Sequence, residues 1–368
     1  MASRPERDLW IDIARTIDAA GRGEQQLPSL QQAAHRQGTT AEDWQALADT
    51  LYALARYGEA ANAYARAVDL VPDSARNWAG LGETCDLVGQ REEAINAYLR
   101  ATAIDPHNGA VWSNLANQLW YLSRYSEASD AVSHALELEP SSPTAWMRLG
   151  NIEASLGHLE AAGVAYDHAL QLAPNYATAW LNKAELLRFD LHRYDEALPV
   201  YDEALRREPT LARAWTGKGD TLLALKRHEE ALAVYTMALT LGDQRARVWA
   251  NQGVCLWYLR RYDEALAAYQ QAIEIEPNTA LLWKCLGDVN LSRQHWRAAL
   301  QAYEQAISLD PLYKDAWRHK IHVLLKHGRI VEAVRTLLHG ASVITEHQLA
   351  AESDVQGHDP DKRVTPRQ

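Results

Sequence analysis

Residues 109–142 read GAVWSNLANQLWYLSRYSEASDAVSHALELEPSS, and this 34-residue frame returns along most of the chain. Its tryptophan, Trp112, belongs to a ladder with Trp44, Trp78, Trp146, Trp180, Trp215, Trp249, Trp283 and Trp317, spaced by 34 residues with one step of 35. A fixed period of this size means one supersecondary unit repeated along a solenoid. Such a chain grows by stacking neighbours rather than around one core, so its 368 residues do not imply two or three globular domains.

With the ladder tryptophan at position 4, the other positions fall into register. Position 8 is small: Ala48, Gly82, Ala116, Gly150, Ala184, Gly219, Gly253 and Gly287. Position 20 is Ala60, Ala94, Ala128, Ala162, Ala197, Ala231, Ala265, Ala299 and Ala333, and position 27 is alanine from Ala67 to Ala306. Position 24 is mostly tyrosine (Tyr64, Tyr98, Tyr166, Tyr201, Tyr235, Tyr269, Tyr303), and position 32 mostly proline, from Pro72 to Pro311. Positions 4, 8 and 11 share one helical face, as do 20, 24 and 27. Small residues at 8, 20 and 27 let two antiparallel helices approach closely, Trp and Tyr fill the wedge between them, and the proline stops the second helix.

This pattern resembles the tetratricopeptide repeat family over residues 41–340, as nine tandem units. The resemblance implies an all-α fold, a right-handed α-solenoid superhelix of stacked helix-turn-helix units whose first helices line a concave groove. Three departures are local. Repeat 6 has Asp243 where proline is expected, with Gly242 available to end the helix; repeat 5 carries one extra residue after Phe189, expected in its inter-helix turn; and repeat 9 is degenerate at Ile321, Leu337 and Gly340. Residues 1–40 read as a degenerate N-terminal capping repeat, with Trp10, Ile13, Ala14, Ile17, Leu30 and Ala33 in register. Residues 341–368 read as a short C-terminal cap followed, from about Ser353 (Asp354, Gly357, Asp359, Pro360, Lys362, Pro366), by a disordered tail.

Composition bounds the function. The net charge of −11 argues against nucleic-acid binding, which needs Lys and Arg for phosphates. No apolar run approaches the roughly 20 residues of a membrane span, and no signal peptide is visible. The three cysteines, Cys85, Cys255 and Cys285, form no CxxC pair and read as free thiols of a reducing, cytoplasmic compartment. An excess of Arg over Lys and abundant Ala suggest a bacterial genome. No phosphate loop, HExxH or GxSxG occurs, so neither enzyme nor cofactor is expected. Cys285, His319 and His322 can share the groove, but no fourth ligand is evident and no metal is expected.

In the family, positions 2, 5, 6, 9, 12 and 13 of the first helix face the groove. Position 6 is Asn114, Asn182 and Asn251 in repeats 3, 5 and 7, and position 13 in the same repeats is Tyr121, Phe189 and Tyr258. An Asn amide can bond both the N–H and the C=O of an extended peptide, and an aromatic adds apolar contact at low entropy cost. The Asn row resembles the asparagine ladder in the repeat superhelix of O-GlcNAc transferases, whose catalytic domain has no counterpart here. At about 20 Å between alternate repeats, an extended ligand would place about six residues between modules. The other reading is that these amides merely bridge neighbouring helices. Trp120 and Trp257, at position 12, are either anchors at the groove edge or packing against the next repeat. Asn117 and Asn151 occupy position 9.

The dicarboxylate clamp of chaperone adaptors is matched only in part, by Asn151, Asn182 and Arg213, with Met147 and Gly217 where basic residues belong. Asp49, Glu83, Glu185, Asp220 and Asp288 at position 9, facing Arg76, Arg213 and Arg247 at position 2, read as an intramolecular charge ladder. The whole points to a scaffold or adaptor that binds an extended protein segment in its groove. The rival is a regulatory or targeting subunit that holds a folded partner through its convex face or ends. A small-ligand receptor or enzyme would need a deep pocket with convergent polar groups. Oligomeric state is not readable from the sequence.

Overall fold

A computed structural model describes residues 23–36 and 38–357. These fall into two units, one ending at Leu191 and the other beginning at His192, inside the fifth repeat. No strand occurs among the described residues. In the first unit the first helices of repeats 1–4 are Ala41–Ala53, Ala75–Leu87, Gly109–Tyr121 and Pro143–Ser155. Their partners are Tyr57–Leu70, Arg91–Ile104, Tyr125–Leu138 and Leu159–Leu172. Ala177–Glu185 closes this unit and continues as a π-helical turn, Leu186–Asp190. The second unit opens on Tyr194–Arg207 and repeats the hairpin through Ala212–Ala224 and His228–Thr240, Ala246–Tyr258 and Tyr262–Ile275, Ala280–Ser292 and Trp296–Leu309, then Lys314–Lys326 and Ile330–Gly357.

The small positions lie where the helices meet. Position 20 is fully buried from Ala60 to Ala299. The ladder tryptophans do more than fill a wedge. The indole N–H of Trp78 donates to the carbonyl of Pro72 at 2.7 Å, and Trp112, Trp146, Trp180, Trp215, Trp283 and Trp317 repeat the bond to Pro106, Pro140, Pro174, Pro209, Pro277 and Pro311 at 2.8–3.0 Å. Each bond satisfies a carbonyl near the end of one repeat from the first helix of the next. Repeat 6 lacks the proline. There Gly242 takes a positive φ of 92° that favours glycine, and Trp249 turns to Gln244 Oε1 at 3.3 Å.

The tyrosine at position 24 explains the choice between glycine and alanine at position 8. Where position 8 is glycine, the ring sits so close that a Cβ on Gly82 would come within 2.6 Å of Tyr98, and on Gly150 within 2.5 Å of Tyr166. Repeat 1 has Ala48 instead, and Tyr64 leans onto Gly80 of the next repeat, whose added Cβ would lie 2.5 Å from the ring. Gly217 takes Tyr201 in the same way. The glycines at position 6 of repeats 2 and 6 are thus seats for the preceding tyrosine.

Two features differ from the sequence reading. The extra residue of repeat 5 is absorbed within the first helix, where Leu191 N–H bonds Leu186 O at 3.2 Å, five residues back; a wide turn keeps the backbone bonded where a longer inter-helix loop would not. The last helix runs unbroken from Ile330 through Gly340 to Gly357, past the start of the tail expected at about Ser353. Gly340 serves a close approach, since a Cβ there would meet the Trp317 indole at 3.0 Å. Trp10, Ile13, Ala14 and Ile17 lie outside the described residues, as do Asp359, Pro360, Lys362 and Pro366. Leu30 and Ala33 fall on a helix over 23–34, with Leu30 packed against a core that includes Leu47 and Ala48.

Asp243 replaces the missing proline by electrostatics. Its buried carboxylate accepts from Thr216 Oγ1 at 2.6 Å and from Arg245 Nε and Nη2 at 2.7 and 2.6 Å. The Arg245 bonds hold its pKa below the usual carboxylate value; burial opposes them and Thr216 adds to them. A carboxyl depressed in the folded state stabilises above its unfolded pKa and loses that contribution as pH falls through the folded one. Asp243→Asn is therefore expected to be less stable than wild type at about pH 7, yet to lose less stability on acidification below about pH 4, as read by urea melts across pH. Gly80→Ala is expected to cost about 1–3 kcal/mol by overpacking. Adding Ala48→Gly, which reopens the seat within repeat 1, should recover most of that loss in a double-mutant cycle.

Candidate functional site

The exposed face of the first helices carries a repeated acceptor. In repeats 4, 6 and 8 the residue at position 9 receives the tyrosine hydroxyl from position 24 of its own repeat and the side chain at position 6 of the next. In the first unit, Asn151 Oδ1 accepts from Tyr166 Oη at 2.8 Å and from Asn182 Nδ2 at 2.9 Å. In the second, Asp220 Oδ1 accepts from Tyr235 Oη at 2.7 Å and Asn251 Nδ2 at 2.9 Å, while its Oδ2 takes Arg247 at 2.5 Å. Asp288 accepts from Tyr303 Oη and His319 Nδ1, both at 2.8 Å, and pairs with Lys284 at 2.8 Å. Asp49 bonds Tyr64 and Arg76, the latter at 3.0 Å.

The three asparagines at position 6 are therefore not equivalent. Asn182 and Asn251 hold the preceding repeat, whereas Asn114 and its neighbour Asn117 have no side-chain partner among the described residues. Position 9 of repeat 2 is Glu83, which accepts the Tyr52 hydroxyl at 2.8 Å and makes no bond to Asn114. Asn151 is committed to Tyr166 and Asn182, and Arg213 is exposed in the second unit.

The aromatic row at position 13 is exposed: Tyr121, Phe189 and Tyr258 show 52, 55 and 56 % of their surface. Each has a planar partner that the sequence reading missed. Arg91 lies over Tyr121 at 4.1 Å, Arg188 over Phe189 at 3.3 Å, and His228 stacks on Tyr258 at 4.3 Å with planes 4° apart. Arg91 and His228 occupy position 17 of the preceding repeats, where repeats 1, 3, 5 and 7 carry Tyr57, Tyr125, Tyr194 and Tyr262 in an RYxEA run; that alternation along the sequence is the available signal. Trp120 and Trp257 are half-buried and donate to Ser155 Oγ at 2.8 Å and Ser292 Oγ at 2.9 Å of the following repeat. Phe189 sits in the π-helical turn, a feature frequent at functional sites.

A cavity of about 480 Å³ opens on this face in the second unit, between Trp257 and Tyr258 on one side and Lys284, Asp288, His319 and His322 on the other. Its polar groups are largely bonded to one another. Burial pushes the Asp288 carboxyl up, but its bonds from His319, Lys284 and Tyr303 outweigh this and hold it below the usual value. Cys285 lines the same cavity with its thiol pushed up by burial, which makes a poor nucleophile. Among the described residues no set of three or more His, Cys, Asp or Glu is placed to hold a metal. What the cavity offers is aromatic walls with a neutralised polar floor. All three cysteines are free, and no helix among the described residues is long and apolar enough to cross a membrane.

The division among the asparagines has a measurable consequence. Asn182→Ala and Asn251→Ala each remove a donor to a shared acceptor and are expected to cost about 1 kcal/mol in urea melts. Asn114→Ala is expected to leave stability unchanged within about 0.5 kcal/mol.

Models described as tetratricopeptide repeat match residues 51–119, 113–177, 186–246, 246–279 and 286–341. No curated protein shows a significant match to the chain. Among solved structures, a tetratricopeptide repeat protein from Parabacteroides merdae ATCC 43184 is similar at 18 % identity and a TM-score of 0.53, over 69 % of this chain and all of that one (100 %). YrrB, described as a TPR protein with an unusual peptide-binding site, is 24 % identical with a TM-score of 0.48, over 52 % of this chain and 98 % of its own. MamA is 22 % identical with a TM-score of 0.42, over 45 % of this chain and 97 % of its own. The indole-to-proline bonds, the tyrosine seats and these matches along the chain agree: it belongs to the tetratricopeptide repeat family.

Proposed function

We propose that the chain is a non-enzymatic scaffold or adaptor that binds an extended protein segment along the exposed face of its first helices. The observation that carries this reading is the row of exposed aromatics, Tyr121, Phe189 and Tyr258, one on every second repeat and each braced by a planar cation or imidazole. Rigid, half-solvated rings give large contact area at low entropy cost. Asn114 and Asn117, left unbonded, are available to a peptide backbone, and the cavity beside Trp257 and Tyr258 has room for an apolar or aromatic side chain. Free thiols at Cys85, Cys255 and Cys285 fit a cytoplasmic location. We assign residues 1–40 to a degenerate N-terminal capping repeat and residues 341–368 to a short C-terminal cap followed by a tail.

A second reading is favoured by one feature. The last helix exposes Ile330, Val331, Val334, Leu337 and Leu338, an apolar stripe on a terminal element. Docking of a folded partner there would make the chain a targeting subunit.

Selection of peptides from a random 12-residue library, followed by anisotropy with the labelled winners, separates the two. Groove binding requires that Tyr121→Ser or Tyr258→Ser weaken the winners about tenfold or more, while Leu337→Glu/Leu338→Glu leaves them unchanged. The opposite pattern would move the interface to the end of the chain.

A further inference from the structure

In the first unit, Arg148 stands at position 6 of repeat 4, the place that Asn182, Asn251 and His319 hold in repeats 5, 7 and 9. Each of those three donates to the residue at position 9 of the preceding repeat. For Arg148 that residue is Asn117, a neutral amide, and no bond joins them. The guanidinium is half-buried and donates to Ser113 Oγ of repeat 3. No carboxylate lies within ion-pair distance of it among the described residues. Other half-buried cations of the first helices are paired: Lys183 with Asp167, Lys218 with Asp202, Lys284 with Asp288 at 2.8 Å and Lys320 with Glu304 at 3.0 Å.

Taking a guanidinium partly out of water costs free energy unless an anion or several good acceptors replace the lost solvent. One serine hydroxyl does not. Burial accordingly pushes the Arg148 pKa down, and the groups near enough to act on its charge are the hydroxyls of Tyr176, Tyr98 and Tyr121 and the carboxylate of Asp86. Asp86 faces Arg91 instead, at 3.9 Å, and Arg91 also bonds Gln118 and covers Tyr121. The site is thus a guanidinium lacking its counter-charge, beside two unbonded amides and an exposed ring, in a chain of net charge −11.

We propose that Arg148 receives a carboxylate of the bound segment, an Asp or Glu side chain, while Asn114 and Asn117 bond the backbone beside it and Tyr121 packs on the neighbouring residue. This rests on the groove-binding reading above. A planar guanidinium takes a carboxylate bidentately, with geometric selectivity that an ammonium lacks. The ligand would then carry an acidic residue at a fixed distance from an apolar or aromatic one.

The test uses the full chain and the same random 12-residue library. Wild type is expected to enrich peptides with Asp or Glu at one register position. Arg148→Met should lose that acidic column yet still enrich the apolar one, and Arg148→Glu should replace it with Lys or Arg. In anisotropy, changing the selected Asp or Glu to Asn or Gln should weaken wild type at least about tenfold and Arg148→Met less than about twofold. Removing an unpaired half-buried charge should leave the melting temperature of Arg148→Met equal to or above that of wild type. Each winner is measured as free acid and as C-terminal amide; loss on amidation would assign the carboxylate to a chain terminus instead of a side chain. Apolar enrichment without an acidic column, an acidic column that survives in Arg148→Met, or a marked fall in that variant's melting temperature would overturn the assignment and leave groove binding standing. Enrichment of no peptide at all would remove both.

Discussion

The bond from the ladder indole to the preceding proline carbonyl is the constraint on which the rest of each unit depends. A solenoid repeat contacts only its neighbours, so its stability is a sum of hairpin and nearest-neighbour terms. Proline at position 32 ends the second helix and leaves a carbonyl without a helical donor. The indole N–H of the next repeat meets it at 2.7–3.0 Å in seven of the nine ladder positions. Phenylalanine would fill the wedge but leave the carbonyl unpaired, which accounts for nine ladder tryptophans in a chain with a single Phe. The bond fixes where the first helix of each repeat starts relative to the last, and so which of its residues face solvent.

A second network uses up most of the polar groups that the first helices present. In repeats 1, 4, 6 and 8 the tyrosine at position 24 reaches position 9 of its own repeat; in the last three position 6 of the next repeat joins it, and in repeats 1 and 6 the arginine at position 2 of the next repeat does. Buried or half-buried hydroxyls and carboxylates need such partners. The network therefore divides the face into groups that hold the repeats together and groups that are left over. Asn182, Asn251, His319, Asp220 and Asp288 belong to the first kind; Asn114, Asn117, Arg148 and the rings at position 13 belong to the second. A residue type at a solvent-facing position is weak grounds for a ligand contact until its internal partners are known.

The fold was legible because period, small positions and proline each report on backbone geometry and steric fit, which sequence spacing encodes directly. Ala60 through Ala299 sit fully buried where the pattern placed them. The candidate site was legible only as a face. Whether an amide at position 6 bonds position 9 of its neighbour depends on the local geometry and not on residue type alone; Asn251 bonds Asp220, while Asn114 makes no bond to Glu83, which accepts from Tyr52. Two of the braces on the aromatics, Arg91 and His228, come from position 17 of another repeat, about thirty residues away. The wide turn at Leu186–Asp190 depends on how the helix closes around one inserted residue, a choice between loop and bulge that composition does not make.

The same accounting bears on how a chain of −11 net charge can select a ligand. Most of its half-buried cations are neutralised by carboxylates from the same or adjacent helices, so they contribute little field beyond a Debye length of about 8 Å. Long-range attraction is then unfavourable for an acidic segment, and selectivity must come from short-range contact. Arg148, at a place where the internal acceptor row is interrupted by Asn117, is a guanidinium without a carboxylate partner near the exposed Tyr121 ring, which Arg91 covers. On the reading proposed above, a face made this way repels acidic chains at a distance and rewards one carboxylate held in register. That favours recognition of a short, sparsely charged segment over polyacidic ones, and it arises from a single neutral residue in the acceptor row rather than from any dedicated binding loop.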